Sequence, residues 1–178
     1  MSRLTTVMPI HQLNHAVLFV RDAEKSADFY ERVLGFRKLP FEFPGAIFMQ
    51  AEGSANDHDL GLFSIGEGAG PSGAGRSTVG LYHLAWEVDT LRDLVEIGGR
   101  LSAEGALVGA TDHGSTKALY GRDPDGIEFE VAWLVPRELL EEDATPSNRP
   151  LDLDKEIDRY GETTLGGVGV SRPAPVPD

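Results

Sequence analysis

The chain has 178 residues, of which 29 are acidic and 16 basic, and its formal net charge is −13. Nucleic acids and anionic membranes are bound through basic surfaces, so this charge disfavours both as partners. The absence of cysteine excludes thiolate metal sites, disulfides and a cysteine nucleophile. The sequence opens without an apolar signal segment and no stretch approaches membrane-spanning length, so we expect a cytoplasmic protein.

The first predicted element is a strand, LNHAVLFV at residues 13–20, and an amphipathic helix follows it. Asp22 is a suitable N-cap for this helix, and Gly35 is a natural stop. Three short strand candidates come next, at residues 36–42, 46–51 and 58–65.

The same order of elements then recurs. The segment LYHLAWEV at residues 81–88 repeats the pattern L-x-H-x-x-x-x-V with a shift of 68 residues, which pairs His15 with His83. A helical pattern follows at residues 89–105, broken around Gly98-Gly99, and three strand candidates lie at 106–110, 116–121 and 126–133. The sequence therefore predicts an α+β fold made of two βαβββ modules that share a core.

This reading divides the chain into four parts. The first module spans residues 1–66, a glycine-rich linker spans 67–79, the second module spans 80–135, and a C-terminal extension spans 136–178. The extension contains helix candidates but no residues that indicate chemistry. It either docks over the modules or a neighbouring subunit, or it is a partly ordered tail.

The 68-residue shift makes Leu62 the counterpart of Glu130. Two modules related by a pseudo-two-fold axis would bring these two positions together with His15 and His83. Two imidazoles and one carboxylate form the facial ligand set of non-haem Fe(II) centres, which leaves positions open for reactants. The alternative interpretation is that the histidines are ordinary strand residues and that Glu130 faces water.

The opening LNHAVLFVRDAEKSADFYERVLGF and the closing YGRDPDGIEFEV resemble the vicinal oxygen chelate superfamily over about residues 10–135. That superfamily includes glyoxalases, fosfomycin-modifying transferases, metal-free drug-binding proteins and type I extradiol ring-cleaving dioxygenases. The resemblance implies two βαβββ modules that form a cupped, incomplete mixed β-barrel with helices outside. Leu62, at the fourth axis position, argues against the glyoxalase pattern, in which all four positions hold ligands.

Three residues make the extradiol dioxygenases the most similar branch. That branch has a tyrosine ten residues before the ligand glutamate, and Tyr120 stands ten before Glu130. It also has a histidine at the start of the last strand of the first module, where this chain has His58. Another histidine often comes shortly before the tyrosine, and His113 matches it.

The resemblance implies an extradiol dioxygenase that cleaves a catechol-type aromatic diol with dioxygen, acts in aromatic catabolism and forms homo-oligomers. His58 and Tyr120 would be catalytic and His113 would bind substrate. The metal, Fe(II) with Mn(II) as the alternative, would be held by His15, His83 and Glu130.

Two other functions stay open at this point. One is a different metalloenzyme of the superfamily, either a lyase or isomerase that uses Mn, Ni or Zn, or a fosfomycin-type transferase. The other is a metal-free small-molecule binder in which His58 and Tyr120 are merely polar groups of a pocket. Pairing of His58 with a neighbouring carboxylate, Asp57 or Asp59, and simple strand packing for Tyr120 are the corresponding structural interpretations.

Overall fold

Each half of the chain folds as a strand, a helix and three further strands. The structure is a computed structural model, and it describes residues 10, 12–74, 77–140 and 146–167. The first half contains β1 (Ala16–Val20), α1 (Ala23–Leu34), β2 (Arg37–Lys38), β3 (Ala46–Gln50) and β4 (Leu60–Ser64). The second half contains β5 (Leu84–Glu87), α2 (Leu91–Ala103), β6 (Leu107–Asp112), β7 (Thr116–Arg122) and β8 (Glu128–Leu134). The predicted α+β class is confirmed.

The first helix begins and ends where its capping residues predict. The Asp22 side chain accepts hydrogen bonds from the backbone N–H groups of Glu24 and Lys25, at 2.9 and 3.3 Å. Gly35 ends the helix in the left-handed region, at φ 76°, which glycine adopts without strain.

The second helix differs from the expectation, because it runs unbroken through Gly98 and Gly99. Thr90 and Asp93 start it with a reciprocal capping box. A Cβ atom at position 98 would lie only 3.0 Å from the Leu119 Cδ1 atom. Glycine therefore allows the helix to lie close to β7, and this packing outweighs the low helix propensity of the pair.

Each half forms its own open sheet, with strand order β1-β4-β3-β2 in the first and β5-β8-β7-β6 in the second. The first and last strands of each half pair in parallel, and the other pairs are antiparallel. The hydrophobic core lies on the faces of the sheets that the helices cover. Rings of both halves meet there, since Phe29 and Tyr30 of α1 each lie 6.1 Å from the Phe129 ring of β8.

The assignment of Leu62 to the metal-facing side is wrong. Leu62 is fully buried in the core and pairs with Leu18 of β1. In the second sheet Glu130 pairs with Ala85 of β5, and the 68-residue shift makes Val17 the counterpart of Ala85. Val17 itself pairs with Gly61, so Gly61 is the structural counterpart of Glu130. The two sheets differ in register by one residue, and because side chains alternate, a one-residue slip moves a position to the opposite face. The fourth position still lacks a ligand, because glycine has no side chain.

The C-terminal extension packs against the second sheet. It contains a 3₁₀ turn (Arg137–Leu139), a two-residue strand β9 (Arg149–Pro150) that extends the sheet beyond β6, and helix α3 (Leu153–Tyr160). The Tyr160 ring lies 5.4 Å from the Trp133 ring of β8. Residues 141–145 and 168–178 of the predicted extension lie outside the described residues. None of the described helices is long and apolar enough to cross a membrane.

Candidate metal and catalytic site

The residues best suited to bind a metal ion are His83 and Glu130, which form a pair. His83 immediately precedes β5 and Glu130 lies in β8, so the parallel pairing of these strands brings them together. The His83 Nε2 atom lies 3.1 Å from the Glu130 Oε2 atom, and the two side chains are 24% and 12% exposed. A buried carboxylate is costly without a partner, so this imidazole stabilises it.

The chemistry of the pair suits a divalent ion. An imidazole nitrogen and a carboxylate oxygen are donor types that divalent transition metals bind, and these two atoms are close enough that both could hold one ion. The His83 Nδ1 atom is buried and has no hydrogen-bond partner among the described residues. Glu130 is therefore the polar group that orients this ring.

Tyr120 lies beside the pair, because β7 and β8 form an antiparallel hairpin in which Tyr120 is directly opposite Glu130. The ten-residue spacing noted in the sequence is the separation of this cross-strand pair along the chain. The Tyr120 and His83 rings meet edge to face, with centroids 5.7 Å apart. Burial, and after it the neighbouring Glu130 carboxylate, raise the pKa of Tyr120 to about 12.

His113 joins the same group from the turn between β6 and β7. Its Nε2 atom lies 2.9 Å from the Tyr120 hydroxyl oxygen, and its Nδ1 atom lies 3.0 Å from the backbone carbonyl oxygen of Ser147. The second sheet thus carries a continuous polar row of four side chains: His83, Glu130, Tyr120 and His113.

The other two predicted site residues lie together on the first sheet. The His15 and His58 rings are stacked at a tilt, with centroids 4.3 Å apart. His15 is exposed, and its Nδ1 atom contacts the side chain of its neighbour Asn14 at 2.7 Å. The His58 side chain is 15% exposed and lies 3.2 Å from the Asp57 carboxylate, which is the carboxylate pairing considered from the sequence.

Asp59 holds the loop that carries His58. Its carboxylate accepts hydrogen bonds from the backbone N–H of Ala51, the Ser54 hydroxyl and the Asn56 side chain, at 2.9, 2.7 and 2.8 Å. Asn56 also donates to the backbone oxygen of Asn14 at 2.8 Å, which links the loop to the segment of His15. Sequence reasoning did not assign these roles to Asp59 and Asn56. Their position among turn-forming residues 52–59 is the signal that could have suggested them.

The predicted ligands form two groups. Among residues 10, 12–74, 77–140 and 146–167, no three His, Asp or Glu side chains are grouped closely enough to hold a metal ion. His83 and Glu130 are together, and His15 is with His58 instead. The set of three metal ligands, His15, His83 and Glu130, therefore stays a prediction. Within one chain, two of the three lie together.

An aromatic wall flanks His58. The Phe48 ring meets the imidazole edge to face at 5.2 Å, and further phenylalanine rings pack around Phe48 at 5.9–6.4 Å. This wall consists of Phe41, Phe43, Phe48 and Phe63. Phe41 and Phe43 are about half exposed, so the wall offers apolar surface beside an imidazole.

The fold and these residues place the chain in a known class. The family model of the glyoxalase/bleomycin resistance protein/dioxygenase superfamily matches residues 12–131, and the chain belongs to this superfamily. The C-terminal extension lies beyond the matched region.

Two curated relatives are similar in sequence. The chain is 30% identical over 140 residues to a catechol-2,3-dioxygenase of Bacillus subtilis (strain 168), covering 79% of this chain and 47% of the relative. It is 34% identical over 132 residues to biphenyl-2,3-diol 1,2-dioxygenase 3 of Rhodococcus globerulus, covering 71% of this chain and 64% of the relative. The chain therefore spans about half to two thirds of these relatives.

A solved structure shows the same fold. It is a glyoxylase/bleomycin resistance protein/dioxygenase domain from Frankia sp. EAN1pec, 24% identical, with a TM-score of 0.56. The match covers 70% of this chain and 98% of that domain.

Proposed function

We propose that the protein is an Fe(II)-dependent extradiol dioxygenase that cleaves the ring of a catechol-type aromatic diol, with Mn(II) as the alternative metal. The observation that carries the proposal is the His83–Glu130 pair, which the Tyr120–His113 pair adjoins. The names of the two curated relatives, both diol dioxygenases, support the same reaction class. The cytoplasmic location and the role in aromatic catabolism stay predictions.

His83, Glu130 and His15 would hold the metal. When bound, such an ion supplies a Lewis-acidic, redox-active centre with open positions for two reactants. Gly61, the structural counterpart of Glu130 in the first module, contributes no side chain that could fill a further position.

We infer that His15 reaches this site from a second copy of the chain. His15 is exposed and is grouped with His58 rather than with His83 and Glu130. The face around it is also apolar and exposed, since Val17 and Phe19 are 50% and 70% accessible. A second sheet laid on this face would bury these side chains and add the missing imidazole. His58 would arrive with His15, because their rings are in contact.

Tyr120 and His58 would act on the substrate in different ways. With its pKa raised to about 12, the Tyr120 hydroxyl stays protonated at neutral pH, and its oxygen can accept a hydrogen bond from a diol hydroxyl that keeps its proton. Histidine both accepts and donates protons near neutral pH, so His58 is suited to move the proton that ring opening requires. The aromatic wall around Phe48 would pack against the ring of the diol.

The reaction can be tested with the 178-residue chain loaded anaerobically with Fe(II) and mixed with a small panel of catechols. We expect oxygen consumption on admission of air and a yellow ring-opened product. Zn(II)-loaded protein is the matched control and should do neither. Conversion of a substrate without oxygen uptake would identify a lyase or isomerase instead.

The origin of the third ligand can be tested by mixing two inactive variants, His15→Ala and Glu130→Gln. If sites form between chains, a mixed dimer contains one intact site and one doubly defective site, so mixing restores activity and one tightly bound iron per dimer. If sites form within a chain, every site keeps one defect, and mixing restores neither.

A further inference from the structure

The C-terminal extension touches the polar row of the second sheet. We call residues 146–160 the C-terminal strap. Ser147, at its start, makes three hydrogen bonds to the turn that carries His113. Its N–H donates to the His113 backbone oxygen at 3.2 Å, its hydroxyl donates to the Asp112 backbone oxygen at 3.0 Å, and its carbonyl contacts the His113 Nδ1 atom at 3.0 Å.

The last of these contacts determines where the proton of the His113 ring lies. A backbone carbonyl only accepts hydrogen bonds, so Nδ1 must carry the proton. In the neutral ring the Nε2 atom is then an acceptor, and at 2.9 Å the Tyr120 hydroxyl donates to it rather than to the neighbouring Glu130 carboxylate. The strap therefore determines the direction of the Tyr120 O–H bond through His113.

A buried ionic cluster anchors the strap on the opposite face of the sheet. Lys117 of β7 is 1% exposed, and its Nζ atom lies 2.6 Å from the Asp112 carboxylate and 3.0 Å from the Glu156 carboxylate of α3. Arg149 of β9 adds a contact of 3.0 Å to Asp112. A buried charge that loses a partner is strongly destabilising, so this cluster holds the strap in one place.

We propose that the C-terminal strap is a positioning device for the active site, in which the Ser147 carbonyl fixes the ring of His113 and thereby aims the Tyr120 hydroxyl. Ser147 is a positioning residue and touches no reactant. The catalytic consequence of this proposal rests on the proposed function. The predicted tautomer of His113 does not depend on any reaction.

The predicted state of His113 can be tested by NMR of the 178-residue chain carrying ¹⁵N-labelled histidine and loaded with diamagnetic Zn(II). The chain has five histidines, and a His113→Gln variant identifies the signals of His113 by their loss. We expect wild-type His113 to be the Nδ1-protonated tautomer. In Ser147→Gly, which loses the hydroxyl anchor and loosens the backbone, we expect a mixture of the two tautomers. Asn148→Gly makes the same backbone change at an exposed neighbouring position and should resemble wild type.

The catalytic consequence is measured on the same variants loaded with Fe(II). Loss of a supporting hydrogen bond around a metal site lowers activity by about tenfold or more. We expect Ser147→Gly to lower kcat by about tenfold, with unchanged iron content and KM within about twofold of wild type.

Either of two results would overturn the proposal: an Nε2-protonated His113 in wild type, or a Ser147→Gly variant that loses activity while His113 keeps its wild-type tautomer. Failure of the wild-type protein to consume oxygen would instead refute the dioxygenase assignment, and the NMR result would still be readable.

Discussion

The two sheets have the same topology but hold their site residues in different ways. On the second sheet, His83, Glu130, Tyr120 and His113 are partly or fully buried and connected in one row. On the first sheet, His15 is exposed, and its contacts are with its own neighbour and with His58. The two halves of the repeat have therefore specialised. The site residues of the second half are connected to one another within the chain, whereas those of the first half are groups that a further surface would have to complete.

The largest expected effect comes from the second sheet. Glu130→Gln should abolish tight iron binding and lower turnover by more than about a thousandfold, because an amide replaces the one anionic ligand. Iron content after gel filtration and oxygen uptake would measure this. Glu128→Gln, two residues earlier on the same strand face, is the matched control and should retain iron.

On the first sheet we expect a substitution that lowers turnover less and leaves the metal bound. His58→Ala should keep iron and catechol binding but lower kcat by about a hundredfold to ten-thousandfold, since it removes the proposed acid–base group. Anaerobic titration with a catechol separates binding from turnover. Near-normal ring cleavage by this variant would end the acid–base assignment and leave His58 as a stacking partner of His15.

Removing the buried amine that anchors the C-terminal strap should lower the stability of the protein more than removing a surface amine of the first half. Lys117→Met leaves the buried Asp112 and the partly buried Glu156 without their shared cation, so we expect about 3–5 kcal/mol lower free energy of unfolding. Urea unfolding measures this change. Lys38→Met is the control in the first half, where the amine contacts Glu24 and Asp28 at the surface, and it should cost about 1 kcal/mol or less.

The smallest effect is a pH dependence. Burial opposes ionisation of Asp112, but hydrogen bonds from Lys117 and Gly114 and the charges of Lys117 and Arg149 together hold its pKa below the ordinary value of 3.8. Because the folded pKa is lower than the unfolded one, its contribution to stability is complete above about pH 4 and is lost as the pH falls through the folded value. Urea unfolding of wild type and Asp112→Asn between about pH 3 and pH 6 should show a shallower acid loss in the variant. Parallel curves would show that Asp112 is not the group responsible.

Local signals made much of the fold predictable from the sequence. Asp22 and Gly35 defined the first helix because capping depends on neighbouring residues. The family resemblance assigned Tyr120 and Glu130 to one site, and the structure pairs them across two strands that a short turn joins. The strand predicted at residues 36–42 has only two residues in the structure, because Pro40 has no N–H group with which to continue the hydrogen bonds of the sheet.

Long-range geometry explains the errors. The counterpart of Glu130 is Gly61 rather than Leu62, because a register shift between parallel strands leaves no trace in residue counting. The contacts of Ser147 and Glu156 join positions 34 and 39 residues apart, which no local pattern predicts. The separation of His15 from His83 likewise depends on how the two sheets are arranged, which a repeat does not specify.

The buried ammonium group of Lys117 has a consequence for biosynthesis. Its second anionic partner, Glu156, follows it by 39 residues, so β7 is synthesised well before this carboxylate. Until helix α3 has been translated, Lys117 has Asp112 but lacks the Glu156 carboxylate at a position that the finished protein closes off from water. The interior of the second half is therefore complete only when its C-terminal extension has been synthesised.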